Sequence, residues 1–393
     1  MGYNSRMEPI ALSQESILPF TDEHRMVRDT VSDFAQAELR PKAKELDKTK
    51  AFPWENFHKM AELGLLAPHI PEDYGGMGMD LVAFTIIMEE VAKACGSTAL
   101  TLAAHTSLCA YPIYMFASDA QKRKYLPNLC AGKTLGAFGL TEPEAGSDAG
   151  ATKTLAKRAG DKFLITGAKM FITNGGNADV LIITARHDDT GKISNFIIEK
   201  GYPGFKAGKD EDKLGLRASQ TSQLFFDNCE VPAENLMGDE GAGFKQFLAT
   251  LDEGRIVIGA LALGIAGAAY EDALKYSKER IQFGKPIASF QTIQGYLADM
   301  AMEIEAARLL VYHAAFMMTR GMKTTKESAF AKLFASEMAM RVTNKAVQIH
   351  GGYGYTSDFA VERYYRDVKL CEIGEGTSEI QRLVIAREII GKL

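Results

Sequence analysis

The chain has 393 residues, more than a single hydrophobic core usually serves, so two or three domains are expected. Hydrophobic residues make up 46%, charged residues 24%, and the formal net charge is −5; this is a globular composition without the basic surplus of a nucleic-acid binder. The five cysteines, Cys95, Cys109, Cys130, Cys229 and Cys371, form no CxxC and no zinc-like spacing with histidine, so they read as free thiols in a reducing compartment with no metal site.

The N-terminal stretch carries Arg6, Glu8 and Glu15 and no apolar core, which excludes a signal peptide. The longest apolar run, Ile256 to Tyr270, falls short of the ~18 residues of a membrane span and is rich in Ala and Gly, as in a helix packed among helices. A cytoplasmic protein is expected. The first third reads as helical. Thr21 is placed to cap a helix entered by Asp22 and Glu23, and Pro53 fits the first turn of a helix closed by Gly64. Asp80 is placed to cap a helix stopping near Gly96, and Ser118 with Gln121 spells a capping box for Asp119 to Leu129.

The texture changes after Gly132. Phe163–Thr166, Met170–Thr173, Val180–Thr184, Phe196–Ile198 and Ser222–Asp227 are short, β-rich runs punctuated by turn residues, and the β region ends near Val231-Pro232. From Gly243 the helical period returns in four long segments: Phe244 to Glu279, Phe290 to Gly321, Lys326 to His350 and Ser378 to Gly391. The fold class is α+β, as three successive domains. Residues 1–133 form an N-terminal α-helical domain, 134–241 a middle β domain, and 242–393 a C-terminal helical bundle.

Several stretches have residue types suited to a flat or phosphorylated ligand. Gly139-Leu140-Thr141-Glu142-Pro143-Glu144-Ala145-Gly146-Ser147-Asp148 combines close backbone approach with hydroxyls, and Phe171 with Thr173 alternates onto one strand face. Arg280-Ile281-Gln282-Phe283-Gly284 offers an arginine suited to a pyrophosphate, and Gln348-Ile349-His350-Gly351-Gly352 ends a helix in paired glycines. In Gly374-Glu375-Gly376-Thr377-Ser378-Glu379-Ile380-Gln381, Ser378 with Gln381 spells a second capping box. Glu375, flanked by glycines before a helix, is a candidate general base. Taken singly, each stretch equally fits a surface loop or a helix stop. A P-loop, a zincin HExxH, a GxSxG elbow and a strand-linked GxGxxG are absent.

In this order, and above all in Leu140-Thr141-Glu142-Pro143-x-Ala145-Gly146-Ser147-Asp148 and Glu375-Gly376-Thr377-Ser378-Glu379-Ile380-Gln381-Arg382, the chain resembles the acyl-CoA dehydrogenase family, of the short-chain or short branched-chain type. The resemblance implies a middle β-barrel, a C-terminal four-helix bundle, a homotetramer, and FAD between barrel and bundle. It assigns Phe138, Gly139, Leu140, Thr141, Ser147, Phe171, Ile172, Thr173, Thr377 and Glu379 to FAD. Arg280, Gln282, Phe283, Gln291, Gln348, Gly351 and Gly352 are assigned to the diphosphate and adenosine of a neighbouring subunit's FAD. Ser147, Asp252, Arg255 and Gly376 fall to the acyl-CoA thioester and its pantetheine arm, and Glu375 to the base.

The implied reaction is α,β-desaturation of a short, branched or cyclic acyl-CoA, with electrons passed to an electron-transferring flavoprotein. An oxygen-using acyl-CoA oxidase and a non-catalytic acyl-CoA-binding homologue are the alternatives. Some relatives place the base at the position of Gly254. Here that base is absent, and Glu253 is expected to point about 100° away on the helix. Gly374 stands where straight-chain members have Tyr, and Ser97 to Ala104 holds no cation for a dicarboxylic acyl group.

Overall fold

The computed structural model describes residues 18–391. The N-terminal stretch read for a targeting signal, and residues 392–393, lie outside these residues.

The first helices are α1 (Asp22–Phe34), α2 (Ala43–Thr49), α3 (Trp54–Glu62), α4 (Leu81–Ala94), α5 (Gly96–His105), α6 (Tyr111–Phe116) and α7 (Asp119–Cys130). Their starts follow the local chemistry read above. The Thr21 hydroxyl accepts from the His24 N–H while His24 returns a bond to the Thr21 N–H, completing a capping box. Asp80 caps α4 and Ser118 with Gln121 boxes α7. α4 and α5 are buried almost throughout, so they form the inner layer of this part of the molecule.

The chain then forms one sheet from β1 (Gly136–Gly139), β2 (Leu155–Ala159), β3 (Lys162–Thr173), β4 (Val180–His187), β5 (Ile193–Glu199), β6 (Phe205–Asp210), β7 (Thr221–Pro232) and β8 (Leu236–Met237). The strand order is β6-β7-β3-β2-β4-β5-β8, with β1 parallel to β4. The sheet curls around a core that includes Phe163, Ile165, Leu181, Ile183, Phe196 and Leu224, and among the described residues its outermost strands, β6 and β8, are not paired with each other. Phe163–Thr166 and Met170–Thr173, expected as two strands, are one. Gly167 continues the strand at a register shift instead of ending it.

The last part comprises α8 (Gly243–Glu279), the β9 (Ile281–Gln282) and β10 (Lys285–Pro286) hairpin, α9 (Gln291–Thr319), α10 (Thr325–His350), α11 (Val361–Ile373) and α12 (Ser378–Ile390). The four expected helices are present. α11 adds a fifth, which its charged face hid from a reading by apolar period. α12 is capped by Thr377 and not by Ser378: the Thr377 hydroxyl accepts from the Ile380 N–H, and the Gln381 side chain serves the preceding loop. α8 is long and apolar enough to cross a membrane by length and composition, yet 78% of its apolar window is buried inside protein. It is the central core helix, and burying each of its Ile, Leu and Val side chains contributes about 1.5–3 kcal/mol. α8 also meets α4 at close range. A Cβ on Gly264 would lie 2.2 Å from the Glu89 carbonyl oxygen.

That contact is reinforced by buried charge. Arg308 donates to Glu89 at 2.9 Å, the Tyr312 hydroxyl donates to the other Glu89 oxygen at 2.6 Å, and Arg28 donates to the Tyr312 oxygen at 3.2 Å. Glu90 lies 3.9 Å from Arg28. These residues come from α1, α4 and α9 and join the first helices to the last.

Candidate active site

A cavity of about 1180 Å³ lies where the curled sheet, α5, α8, α11 and α12 meet. One wall is β1 and the loop after it, with Phe138, Leu140, Thr141 and Ser147. A second comes from the end of β3, with Phe171, Ile172 and Thr173. A third is α8, with Asp252, Arg255 and Ile258, and the floor is the turn Gly374–Thr377. Leu100, Ala104 and Leu108 add an apolar, uncharged face. Sequence positions far apart are thus brought into one chamber.

Each wall has a local cause. The register of β3 against β7 shifts between Lys169 and Ile172, and Phe171 there takes a left-handed φ of 60°. This bulge, and not plain strand alternation, turns the Phe171 ring outward, where it is 59% exposed over the cavity. Gly139 lies behind the wall: a Cβ there would press on Ile183 and Lys169 at 3.1–3.3 Å. The Leu140–Glu142 stretch is anchored from beneath by Lys169, which is fully buried. Its ammonium donates to Glu142 at 2.7 Å, to the Thr184 hydroxyl at 2.9 Å and to the Leu140 carbonyl at 3.2 Å. Burial pushes the Lys169 pKa down to about 8, against the opposing pull of Glu142. No local pattern marks this pair, because its members are 27 residues apart.

Glu375 sits in a tight left-handed turn, with φ 53° at Glu375 and 94° at Gly376. Glycine is required at 376, where a Cβ would also lie 2.7 Å from the Gln381 amide. Gln381 is buried and donates to the Glu375 and Gly376 carbonyls at 3.2 and 2.9 Å. The Glu375 residue borders the cavity, but its Oε2 is sealed and has no hydrogen-bond partner. Burial pushes its pKa up to about 7. Lys332 and Arg255 oppose that rise, and Glu253 adds to it.

Arg255 is buried and donates to Asp252 at 2.6 Å; Asp252 in turn accepts from the Thr325 hydroxyl at 2.8 Å. Gly254 packs directly on Glu375: a Cβ there would lie 1.9 Å from Oε2. Glu253 points away, as its helical angle requires. It is 1% exposed and lies 3.2 Å from His69 Nε2, in an alignment that forms no hydrogen bond. At Gly374 a Cβ would meet nothing closer than 3.5 Å, so the missing side chain leaves room in the cavity.

The remaining assigned residues lie elsewhere. Arg280, Gln282, Phe283, Gln291, Gln348, Gly351 and Gly352 gather at one end of the helical bundle, outside the cavity. Phe283 is 92% exposed at a φ of 51°, and the Arg280 guanidinium packs 5.3 Å from the Tyr353 ring centre. Glu379 points outward from the first turn of α12, and of the Glu375-to-Glu379 stretch it does not line the cavity.

The chain matches the acyl-CoA dehydrogenase N-terminal domain over residues 21–133, the middle domain over 137–229 and the C-terminal domain over 241–390. The chain belongs to the acyl-CoA dehydrogenase family. A short-chain specific acyl-CoA dehydrogenase of Clostridium acetobutylicum is 50% identical over 372 residues, spanning 94% of this chain and 98% of that one. The solved structure of butyryl-CoA dehydrogenase from Megasphaera elsdenii superposes with a TM-score of 0.92 at 46% identity, covering 94% of this chain and 99% of that one. A chain in a structure of the electron transferring flavoprotein of Acidaminococcus fermentans superposes with a TM-score of 0.93 at 48% identity, covering 95% and 99%.

Enzymes of the acyl-CoA dehydrogenase family use FAD, and the cavity of this member fits it. The outward Phe171 ring, the Phe138–Phe247 pair stacked at 10°, and the Thr141 and Thr173 hydroxyls, which make no side-chain hydrogen bond among the described residues, line a space suited to a flat ring with polar edges. Lys169 is expected to be essential to that wall. Lys169→Met leaves the buried Glu142 carboxylate unpaired, at a cost of about 3–5 kcal/mol. Urea denaturation should report a loss of that size, and the purified variant should carry less FAD per chain than wild type.

Proposed function

We propose that this enzyme oxidises the Cα–Cβ bond of a short acyl-CoA, with Glu375 as the base that removes the α-proton. The observation that carries this reading is the Glu375 carboxyl, which a left-handed turn holds at the border of the cavity with no hydrogen-bond partner on Oε2 and a pKa near 7. A general base is most effective when its pKa lies near the working pH.

The acyl thioester would enter between Phe171 and the Gly374–Thr377 turn. The Glu375 carboxylate takes the α-proton as the Cα–Cβ double bond forms, leaving an enoyl thioester. Negative charge gathers on the thioester oxygen, and the Glu375 N–H would be the backbone donor that meets it; such donors are commonly worth about 3–4 kcal/mol. When bound, FAD supplies the two-electron acceptor that takes the β-hydrogen as hydride. Arg255 and Asp252 orient each other beside the acyl-CoA path.

Phe138, Leu140, Thr141, Ser147, Phe171, Ile172, Thr173 and Thr377 would hold FAD from the cavity side. Gly139 and Glu379 would support that contact from behind and beside it, and Gly376 would touch substrate. The exposed cluster Arg280, Gln282, Phe283, Gln291, Gln348, Gly351 and Gly352 fits a second subunit's FAD, in a tetramer. With domain boundaries at 133/134 and 241/242, FAD and substrate would meet at the junction of all three domains. The short-chain and butyryl names of the relatives support a short acyl group, and the flavoprotein structure supports an electron-transferring flavoprotein as acceptor.

Anaerobic bleaching of the bound flavin tests the reading. Butyryl-CoA should bleach it at least about tenfold faster than octanoyl- or glutaryl-CoA, since an uncharged apolar wall neither lengthens nor pairs a carboxylate. The panel should also contain isobutyryl-, isovaleryl- and a cyclohexane carboxyl-CoA, because the space at Gly374 fits a branch or ring. Equal rates with glutaryl-CoA would remove the short-chain assignment, and a flavin that no acyl-CoA reduces would remove the reaction.

A further inference from the structure

Lys332, on α10, is a lysine with no exposed surface. A buried ammonium is costly unless it is paired, and the other buried cation beside Glu375, Arg255, is paired with Asp252. Lys332 has no carboxylate within ion-pair distance among the described residues. Its Nζ donates instead to a backbone carbonyl, that of Gly376, at 2.6 Å. The same carbonyl accepts from Gln381 at 2.9 Å. Glu375 is therefore followed by a carbonyl gripped from two helices, at the end of two consecutive left-handed residues. Such a turn is strained for a non-glycine residue, and it persists only where its surroundings hold it.

We propose that Lys332 is a positioning residue for the reaction: it fixes the turn that presents Glu375 and supplies the buried positive charge that the ionised Glu375 carboxylate faces. This rests on the reading of Glu375 as the base.

Glu375 is faced by Glu253 and Arg255 from α8 and Lys332 from α10; Lys332 is faced in turn by Cys371 and Glu372 from α11, and Arg255 by Arg387 from α12. Asp252 offsets Arg255, Glu372 pairs with Lys369, and burial keeps the Cys371 thiol protonated, with its pKa pushed up to about 12. Lys332 is thus left as the buried cation without an acid of its own. Burial lowers its pKa to about 8, and the facing Glu375 opposes that shift.

The test is stopped-flow anaerobic flavin reduction by butyryl-CoA in the FAD-bearing enzyme, from about pH 5.5 to about pH 9. Lys332→Met removes both charge and donor; Lys332→Gln removes the charge and keeps a donor. With Lys332→Met the acid limb of the rate profile should move up by about one pH unit, because the ionised carboxylate loses its counter-charge. The plateau rate should fall by about tenfold or more as the turn loosens, with butyryl-CoA affinity little changed. Lys332→Gln should recover most of the plateau rate while keeping the shifted limb, a separation that a merely structural role would not produce.

An acid limb that stays at the wild-type pH in Lys332→Gln overturns the proposal, and this variant carries the test alone if Lys332→Met does not fold. Glu375→Gln is run beside them. If it reduces flavin like wild type, the assignment of the base has failed; if it is silent while the Lys332 limb does not move, only the role of Lys332 has.

Discussion

Glu375→Gln is expected to retain FAD and to lose flavin bleaching by butyryl-CoA by about 10⁴-fold, the upper range for removal of a general base. The amide is isosteric and occupies the same turn, but it cannot accept the α-proton. No neighbour substitutes for it, since Glu253 points toward His69 and the position beside Oε2 is Gly254. Stopped-flow bleaching at saturating substrate measures the loss, and a variant that bleaches at the wild-type rate would reject the assignment.

The pH signs are also fixed. The Glu375 pKa is raised by burial to about 7, so the wild-type rate with free enzyme should climb with pH through about 7 as the carboxylate forms. Stability runs the other way. A carboxyl whose folded pKa is raised favours the folded state while protonated; that contribution is complete below the ordinary carboxylate pKa and is lost as pH rises through about 7. The amide has no such loss. Calorimetry should therefore find the variant's Tm above that of wild type at about pH 8 and matching it near pH 4, an enzyme made more stable by removal of its base.

Gly254→Ala is expected to be nearly as damaging, though it touches neither FAD nor substrate. Its Cβ would sit 1.9 Å from Glu375 Oε2 and 3.0 Å from Cδ, closer than atoms pack, with helix backbone on one side and a clamped turn on the other. The carboxylate has to swing away. Misplacing a reacting group by about 1 Å commonly costs about 10²-fold in rate. The loss should appear in the bleaching rate with the FAD content unchanged. Gly267→Ala is the control: it lies on the same helix with nothing within 4 Å of the added Cβ, and it should leave the rate at the wild-type value. If Gly254→Ala also keeps that rate, Glu375 does not act from the conformation described.

The broad plan was legible because it is written in local chemistry. Caps at Thr21, Asp80 and Ser118 act within three residues, and β4 and β5 are short continuous apolar runs buried on both faces. Legibility failed where long-range packing decides. β1, β2 and β6 are too short or too polar to stand out. α11 carries charge on the face that meets solvent, and the cap of α12 moved to Thr377 because the turn before it recruited Gln381. Glu375 could be named from its glycine-flanked motif, and the absence of a competing base from Gly254. The residues that give Glu375 its character, Lys332, Arg255 and Glu253, could not be seen as a group, since only the fold brings α8 and α10 against one turn. The bulge that aims Phe171 was equally hidden, because a register shift has no fixed sequence signature.

The buried network of Arg28, Glu89, Arg308 and Tyr312, together with the backbone-close approach of α4 to α8, has a consequence for selectivity. α4, which packs on the α5 helix of the apolar face of the cavity, is braced to α1 and α9 by charged bonds that cannot be stretched without exposing an unpaired ion. If the enzyme acts on a short acyl group as proposed, that face is expected to serve as a fixed stop, holding an acyl group one or two carbons too long back from Glu375. Substitutions that loosen the brace, far from any ligand, should broaden the range of acyl groups turned over before they slow the preferred one.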